Sequence, residues 1–357
     1  MTVIGFLFND KILKRMIRGT EKKENLSFYL DLAREKKVDL CLYSLRHIRK
    51  KKGRVNGYVF DSTQNSLTQK KVPLPKVNFC RTILHKKNSV RKLKRIEKNR
   101  GVVFLNIVSN RQRDKYATVQ YLKSRVDIKP HIPEAAQLSY ANLIHFLQQF
   151  GQIIIKPKIG SLGEGLYKLE EDARGVNICR IQRNRQKQMR VSKQQLKPFY
   201  QEQFPRPSLF FIQQWIESIT YKGKKMDFRT SVQKNARKKW TFTGIVPRVA
   251  GRKKIATNVA QGGRAVSYKK VKPHLPKGTK KRIRRLSLQI AKALEKKHPS
   301  TADLGLDIVV DQNGDLWFLE ANYRDQRISY RDAGEMRMWK ATYRAPFEYT
   351  CAHDRSV

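Results

Sequence analysis

The stretch Leu304-Gly-Leu-Asp-Ile-Val-Val-Asp-Gln-Asn-Gly-Asp-Leu-Trp-Phe-Leu-Glu-Ala-Asn322 constrains the fold more than any other part of the chain. Two apolar runs flank Asn313-Gly314, a dipeptide that favours a tight turn between antiparallel strands. A loop centred on that pair sets Ile308 opposite Leu319 and Val310 opposite Trp317, which makes one apolar face. The other face then sets Asp307 opposite Glu320. Cβ atoms of directly opposed residues lie about 4.5–5.5 Å apart. Two carboxylates so placed repel and raise each other's pKa unless a cation lies between them. Asn322 falls two residues beyond Glu320, on the same face, and adds a neutral oxygen. An all-oxygen set suits Mg²⁺, which bridges carboxylates to nucleotide phosphates. The alternative is an edge pair relieved by nearby Arg or Lys.

A second motif lies upstream. In Ile155-Lys-Pro-Lys-Ile-Gly-Ser-Leu-Gly-Glu-Gly165, a lysine at a strand end precedes three glycines. Glycines let backbone N–H groups approach phosphate oxygens, and a lysine supplies a point charge for them. The spacing lacks the terminal GK[ST] of a P-loop. The following LYKLEE alternates like a strand, so the loop does not open a helix. An ordinary hairpin loop is the competing reading.

The 357 residues suit about two domains. At 39% apolar and 10% aromatic, the chain can bury a core and is not a disordered basic tail. Its charge is unusual: 77 Lys+Arg against 29 Asp+Glu, net +48. Residues 301–357 alone are acid-rich, with 7 basic and 10 acidic residues. A field this positive attracts polyanions without sequence preference. No apolar run approaches the roughly 18 residues of a membrane span. The opening MTVIGFLFND reads as a first strand, since no basic segment precedes its apolar run as in a secretory signal. Cys41, Cys80, Cys179 and Cys351 are far apart and contain no CxxC, which fits a reducing, cytoplasmic compartment.

TVIGFLF, VDLCLYSL and NGYVFDS read as strands, and NLSFYLDLAREKK as a helix. They imply a small α/β domain over 1–112. KKNSVRKLKRIEKNR (86–100) is a basic helix or loop, without the interleaved aromatics of a nucleic-acid arm. From 113 to 357 the pattern is α+β. Helices are expected in RDKYATVQYLKS and SYANLIHFLQQFG. Strands are expected in QIIIKP, LYKLEE, SLFFIQQWIES and KKWTFTGIVPRVA. In KKRIRRLSLQIAKALEKKHP, Ile283, Leu286, Ile290 and Leu294 share one helix face.

These motifs, in this order, resemble the YheC/YheD family of endospore-coat-associated ATP-grasp proteins. The matching elements are PLPKVNFCR (73–81), DKYATVQYL, PHIPEA, IIIKPKIGSLGEGLYKL, FIQQWI, MDFR, WTFTGIVPRVAG, TNVAQGG and LGLDIVVDQNGDLWFLEAN. The resemblance implies an ATP-grasp fold, with two α+β subdomains clamping ATP, preceded by the small α/β domain. It implies that Lys156 holds the α- and β-phosphates, with loop contacts from Ser161, Gly163 and Gly165. Gln214 to Ile216 would offer backbone groups to adenine, and Glu217 would meet the ribose hydroxyls. Asp307, Glu320 and Asn322 would hold one or two Mg²⁺. Arg229 and Arg248 would face the γ-phosphate or an acyl-phosphate, or else form structural ion pairs. Asn258 would lie on the substrate side. The implied chemistry joins a carboxylate substrate to an amine or other nucleophile, with a spore-coat or polyanion partner on the basic surface. The chain departs from the family pattern at Tyr323-Arg324-Asp325 and at Gln261. A non-catalytic spore-associated scaffold on the same fold, and a nucleic-acid-binding protein, are the rival readings.

Overall fold

The structure, a computed structural model, describes residues 2–49, 53–160, 163–182, 185–251 and 262–354. The first strand, Val3–Phe8, is apolar throughout because both of its faces are covered. It pairs in parallel with Asp39–Ser44 on one side and Val77–Cys80 on the other. Val103–Leu105 extends the sheet in parallel, and the hairpin Arg54–Asp61/Ser66–Pro73 extends the opposite edge. Parallel neighbours need crossovers. The helices Asp10–Ile17, Leu26–Lys36 and Lys87–Arg100 supply them.

Alternate residues of the first strand serve two cores. Ile4, Phe6 and Phe8 pack with Tyr29, Leu32 and Ala33. Leu7 packs with Cys41, Tyr43 and, from the basic helix, Leu93 and Ile96. That helix docks through an i, i+3 apolar pair and leaves most of its lysines and arginines in solvent.

Two antiparallel sheets follow. The first orders Ala135–Gln137, Phe210–Gln214, Gln152–Pro157, Leu166–Asp172, Gly175–Gln182 and Arg185–Val191. The helices Tyr140–Phe150 and Leu196–Gln203 cover it. The second orders Arg264–Ala265, Trp240–Val249, Lys224–Lys234, Asp303–Val310 and Leu316–Asn322. Its core takes Ile283, Leu286, Ile290 and Leu294 from the helix Thr279–Lys297, and Val119 and Leu122 from the helix Lys115–Lys123. No helix among the described residues is long and apolar enough to cross a membrane.

The C-terminal helix Met336–Asp354 returns to the N-terminal sheet. Phe347 lies 5.7 Å from Phe6 and Tyr343 lies 5.2 Å from Tyr29, ring centre to ring centre. Beneath this contact Arg81 is fully buried and bonded to Glu24 and Asp303, and it donates to the Asp325 carbonyl at 3.0 Å. One guanidinium thus ties the first sheet to the last.

Candidate functional site

The C-terminal hairpin closes differently from the turn expected of Asn313-Gly314. Asp311 N–H donates to the Asp315 carbonyl and Gly314 N–H to the Asp311 carbonyl, each at 3.0 Å. The Asp311 carboxylate accepts the N–H groups of Asn313 and Asp315. The loop is therefore Gln312-Asn313-Gly314, three residues centred on Asn313, with Gly314 at φ +84°. This moves the register by one. Val310 pairs with Leu316, Val309 with Trp317, and Ile308 with Phe318, in place of the expected Ile308–Leu319 and Val310–Trp317. A bulge at Leu319 then restores the count, so Asp307 does oppose Glu320, and Gly305 opposes Asn322. Ile308, Val310, Leu316 and Phe318 face the core, while Leu319 and Glu320 both turn to a cleft.

That cleft lies between the two antiparallel sheets. One wall is Ile154, Lys156, Gly163, Leu166 and the segment Gln213 to Ile216. The other is Met226, Asp227, Arg248, Asp307, Val309, Leu319 and Glu320. The charges on the second wall come from strand register. Asp227 is directly opposite Arg248, and Arg229 opposite Asp307. Arg229 holds Asp307 through two nitrogens, at 2.6 and 3.2 Å. Arg248 grips Asp227 and also reaches Asp307 at 2.9 Å. Glu320 pairs with Lys115 at 2.7 Å and accepts from Asn322 Nδ2 at 3.3 Å. Lys156 differs: it has no carboxylate partner among the described residues, and donates to the neutral Gln213 Oε1 at 2.7 Å.

Burial pushes the Lys156 ammonium down to about 8, with Lys115 adding to the effect and Glu320 and Asp307 opposing it. Burial also pushes Asp307 up, against the pull of Arg229 and Arg248 and with the help of Glu320. Glu320 feels the same burial, but Lys115, then Lys156 and Arg229, hold its carboxyl well below the usual range. The pair is thus poised unequally, and extra positive charge between the two would favour both as carboxylates.

The donor set is hard oxygen throughout, and no three of His, Cys, Asp or Glu converge among the described residues. Two carboxylates and an amide oxygen suit a Mg²⁺ whose remaining ligands are phosphate oxygens and water. They do not make a closed protein cage.

Of the residues singled out from sequence, Lys156, Gly163, Gln214, Ile216, Arg248, Asp307 and Glu320 line this one cleft. Arg229 lies behind Asp307. Gly165 is the turn residue just before the return strand and donates its N–H to the Ile181 carbonyl at 3.0 Å. Glu217 is turned to Trp215 Nε1 (2.8 Å) and Lys225 (3.0 Å) and is not part of the lining. Asn322 lines a neighbouring cavity. Ser161 and Asn258, with Gln261, fall outside the described residues. Sequence reasoning assigned no role to Lys115, Gln213, Lys225 or Asp227. The alternation in Met226-Asp-Phe-Arg229 does place Asp227 and Arg229 on one strand face, which was a usable signal for Asp227. Lys115 reaches Glu320 from another element, and no local pattern announces it.

Comparison with known proteins identifies a family and a fold. The family described as YheC/D like ATP-grasp matches residues 105–352. The endospore coat-associated protein YheD of Bacillus subtilis (strain 168) is 27% identical over 318 residues, covering 86% of this chain and 69% of that protein. Among solved structures, N5-carboxyaminoimidazole ribonucleotide synthetase from Thermotoga maritima aligns with a TM-score of 0.54 at 12% identity, over 97% of this chain and 75% of the other. D-alanine–D-alanine ligase from Bacillus anthracis, solved with ATP, aligns with a TM-score of 0.51 at 13% identity, over 100% and 99%.

Proposed function

The chain belongs to the YheC/D-like ATP-grasp family, and from that premise we propose that it is an ATP- and Mg²⁺-dependent ligase joining a carboxylate to an amine or other nucleophile. The observation that carries this reading is Lys156. Among the described residues this desolvated ammonium has only a neutral amide partner, at the mouth of a glycine loop and across a cleft from two opposed carboxylates. A buried cation left without a counter-ion is costly unless an anion arrives.

In this reading Lys156 meets the α- and β-phosphates, and Ser161, Gly163 and Gly165 supply loop contacts to them. The backbone of Gln214 to Ile216 meets adenine. Glu217 meets the ribose after release from Lys225. Asp307, Glu320 and Asn322 would hold one or two Mg²⁺, which supply charge neutralisation on the phosphates. Asp307 would exchange part of its pairing with Arg229 and Arg248 for that metal. The two guanidiniums then turn toward the transferring phosphoryl group. A carboxylate oxygen attacks the γ-phosphorus and ADP leaves. The nucleophile next attacks the acyl carbon and phosphate leaves. Asn258 is assigned to the substrate side.

The test is phosphate release with ATP, Mg²⁺ and a library of carboxylate–amine pairs. A pair that stimulates release is expected, and Glu320→Ala should abolish it while melting near the wild-type temperature. A folded wild-type protein that neither binds Mg-ATP nor releases phosphate would overturn the reading. One observation favours a second reading. Both carboxylates are already ion-paired within the protein, and the chain carries +48, so a non-catalytic polyanion-binding or coat-associated role is the rival. The name of the relative YheD is the support for a spore-coat location.

A further inference from the structure

A second cavity adjoins the cleft, on the side of Glu320 that faces the N-terminal sheet. Lys115 lines both cavities. The rest of the second lining includes Arg113, Arg324, His85, Thr82, Asn322 and Gln326, and contains no Asp or Glu among the described residues. The Lys115 charge is answered by Glu320 at 2.7 Å. Arg113 and Arg324 have no ion pair among the described residues. Among the described residues the Arg113 side chain makes one bond, to the neutral Asn110 Oδ1 at 3.2 Å. Arg324 has no hydrogen bond or ion pair among the described residues, although it is half-buried.

The acids nearest in charge to them are engaged elsewhere: Glu320, which acts on Arg113, holds Lys115, and Glu21, which acts on Arg324, holds Arg15. Glu24 and Asp303 hold Arg81, Asp303 also holds Arg327 at 3.1 Å, and Asp325 is bonded to Ser231 and faces Arg229. Desolvated guanidiniums need an anion to offset the loss of water, and their planar fork matches carboxylate or phosphate.

We infer that this cavity takes a second acidic group of the substrate, held by Arg113 and Arg324 and separate from the carboxylate that reacts. The inference rests on the ligase reading above. The reacting carboxylate must meet the γ-phosphate in the first cleft, where Arg248 lies. Arg113 and Arg324 line only the neighbouring cavity, so an anion there is a different group. The substrate is therefore a dicarboxylate or a phosphorylated carboxylate, and the uncharged end of a simple amino-acid side chain does not satisfy the site.

The experiment loads the protein with Mg²⁺ and a non-hydrolysable ATP analogue, which occupies the nucleotide cleft. Succinate, inorganic phosphate and neutral succinamide are then titrated by calorimetry at constant ionic strength. Succinate or phosphate should bind, the stronger of the two naming the class, and succinamide should not. Arg113→Met and Arg324→Met should each weaken that binding about tenfold or more, the scale of a charge-assisted hydrogen bond. Arg324→Lys should retain part of it. Affinity for the Mg-bound analogue should change less than about twofold, in variants that melt like the wild type. Replacing Lys87 and Lys94 on the basic helix with Gln should leave anion binding unchanged. Nucleotide binding with no arginine-dependent anion binding overturns this inference alone. Absence of nucleotide binding in the wild type would overturn the ligase reading, and with it the assignment of the anion as substrate.

Discussion

Lys156 carries the least compensated charge in the cleft, and its titration yields a signed expectation. Its pKa of about 8 lies below the ordinary 10.5. Between those values the unfolded chain holds the proton and the folded chain does not. Lys156 therefore adds stability as pH rises from about 8 to 10.5, and its charged form costs stability below that window. Nucleotide binding runs the other way, because phosphates favour the ammonium. Mg-ATP affinity should fall as pH rises above about 8, and binding there should take up a proton, measurable by calorimetry in buffers of different ionisation heat. Lys156→Arg stays charged and should flatten the profile. A wild-type profile already flat from pH 7 to 9.5 would remove Lys156 from the phosphate site. Lys156→Ala should weaken ATP and ADP much more than adenosine, and equal weakening of all three would indicate a structural role.

The C-terminal hairpin is the element on which the site turns. Its loop needs Gly314 at φ +84°, and a Cβ there would also meet Pro276 Cγ at 3.1 Å. A left-handed conformation costs a non-glycine residue about 1–2 kcal/mol. Gly314→Ala should therefore lower the melting temperature by a few degrees. Mg-ATP affinity of the folded fraction should persist, because the bulge at Leu319 is held independently by the core on one side and the cleft on the other. Unchanged melting would show that the loop does not depend on this conformation. The turn was legible from Asn313-Gly314, and so was the opposition of Asp307 and Glu320. The three-residue loop and the compensating bulge were not. Each shifts the register by one, and a local pattern cannot reveal two shifts that cancel.

Across the whole molecule, buried ion pairs run from Glu24 through Arg81 to Asp303 and Arg327, and from Asp325 through Arg229 to Asp307, Arg248 and Asp227. The Arg81 bond to the Asp325 carbonyl joins the two runs. Removing one partner from such a set leaves a buried charge uncompensated, at about 3–5 kcal/mol. Arg81→Met should cost about that much in denaturant unfolding, and a change below about 1 kcal/mol would mean the network is not sharing charge as described. The surface charge behaves differently. Exposed charges are screened over roughly 8–10 Å at physiological ionic strength. Raising salt from about 0.05 to 0.2 M should weaken polyanion binding by orders of magnitude and Mg-ATP binding much less. Gln replacements in the helix Lys87–Arg100 should mimic the first effect only. If both ligands decline on one salt curve and compete, ATP is one more anion on a basic surface and the non-enzymatic reading takes over.

Local chemistry in the sequence determined the glycine loop between Gln152–Pro157 and Leu166–Asp172, the long amphipathic helix Thr279–Lys297, and the antiparallel strands that oppose Asp307 and Glu320. These follow from backbone preference and from hydrophobic period, which act over a few residues. The tertiary structure alone decided who neutralises those charges. Lys115 comes to Glu320 from a helix about 200 positions earlier in the chain, Arg229 and Arg248 come to Asp307 from two other strands, and Lys156 is left with an amide. It alone decided, too, that Arg113 and Arg324 share a cavity lined by no acid among the described residues. The physical reason is range. A propensity is read along the chain, whereas a desolvated charge takes whichever partner the packing of sheets brings within about 3 Å.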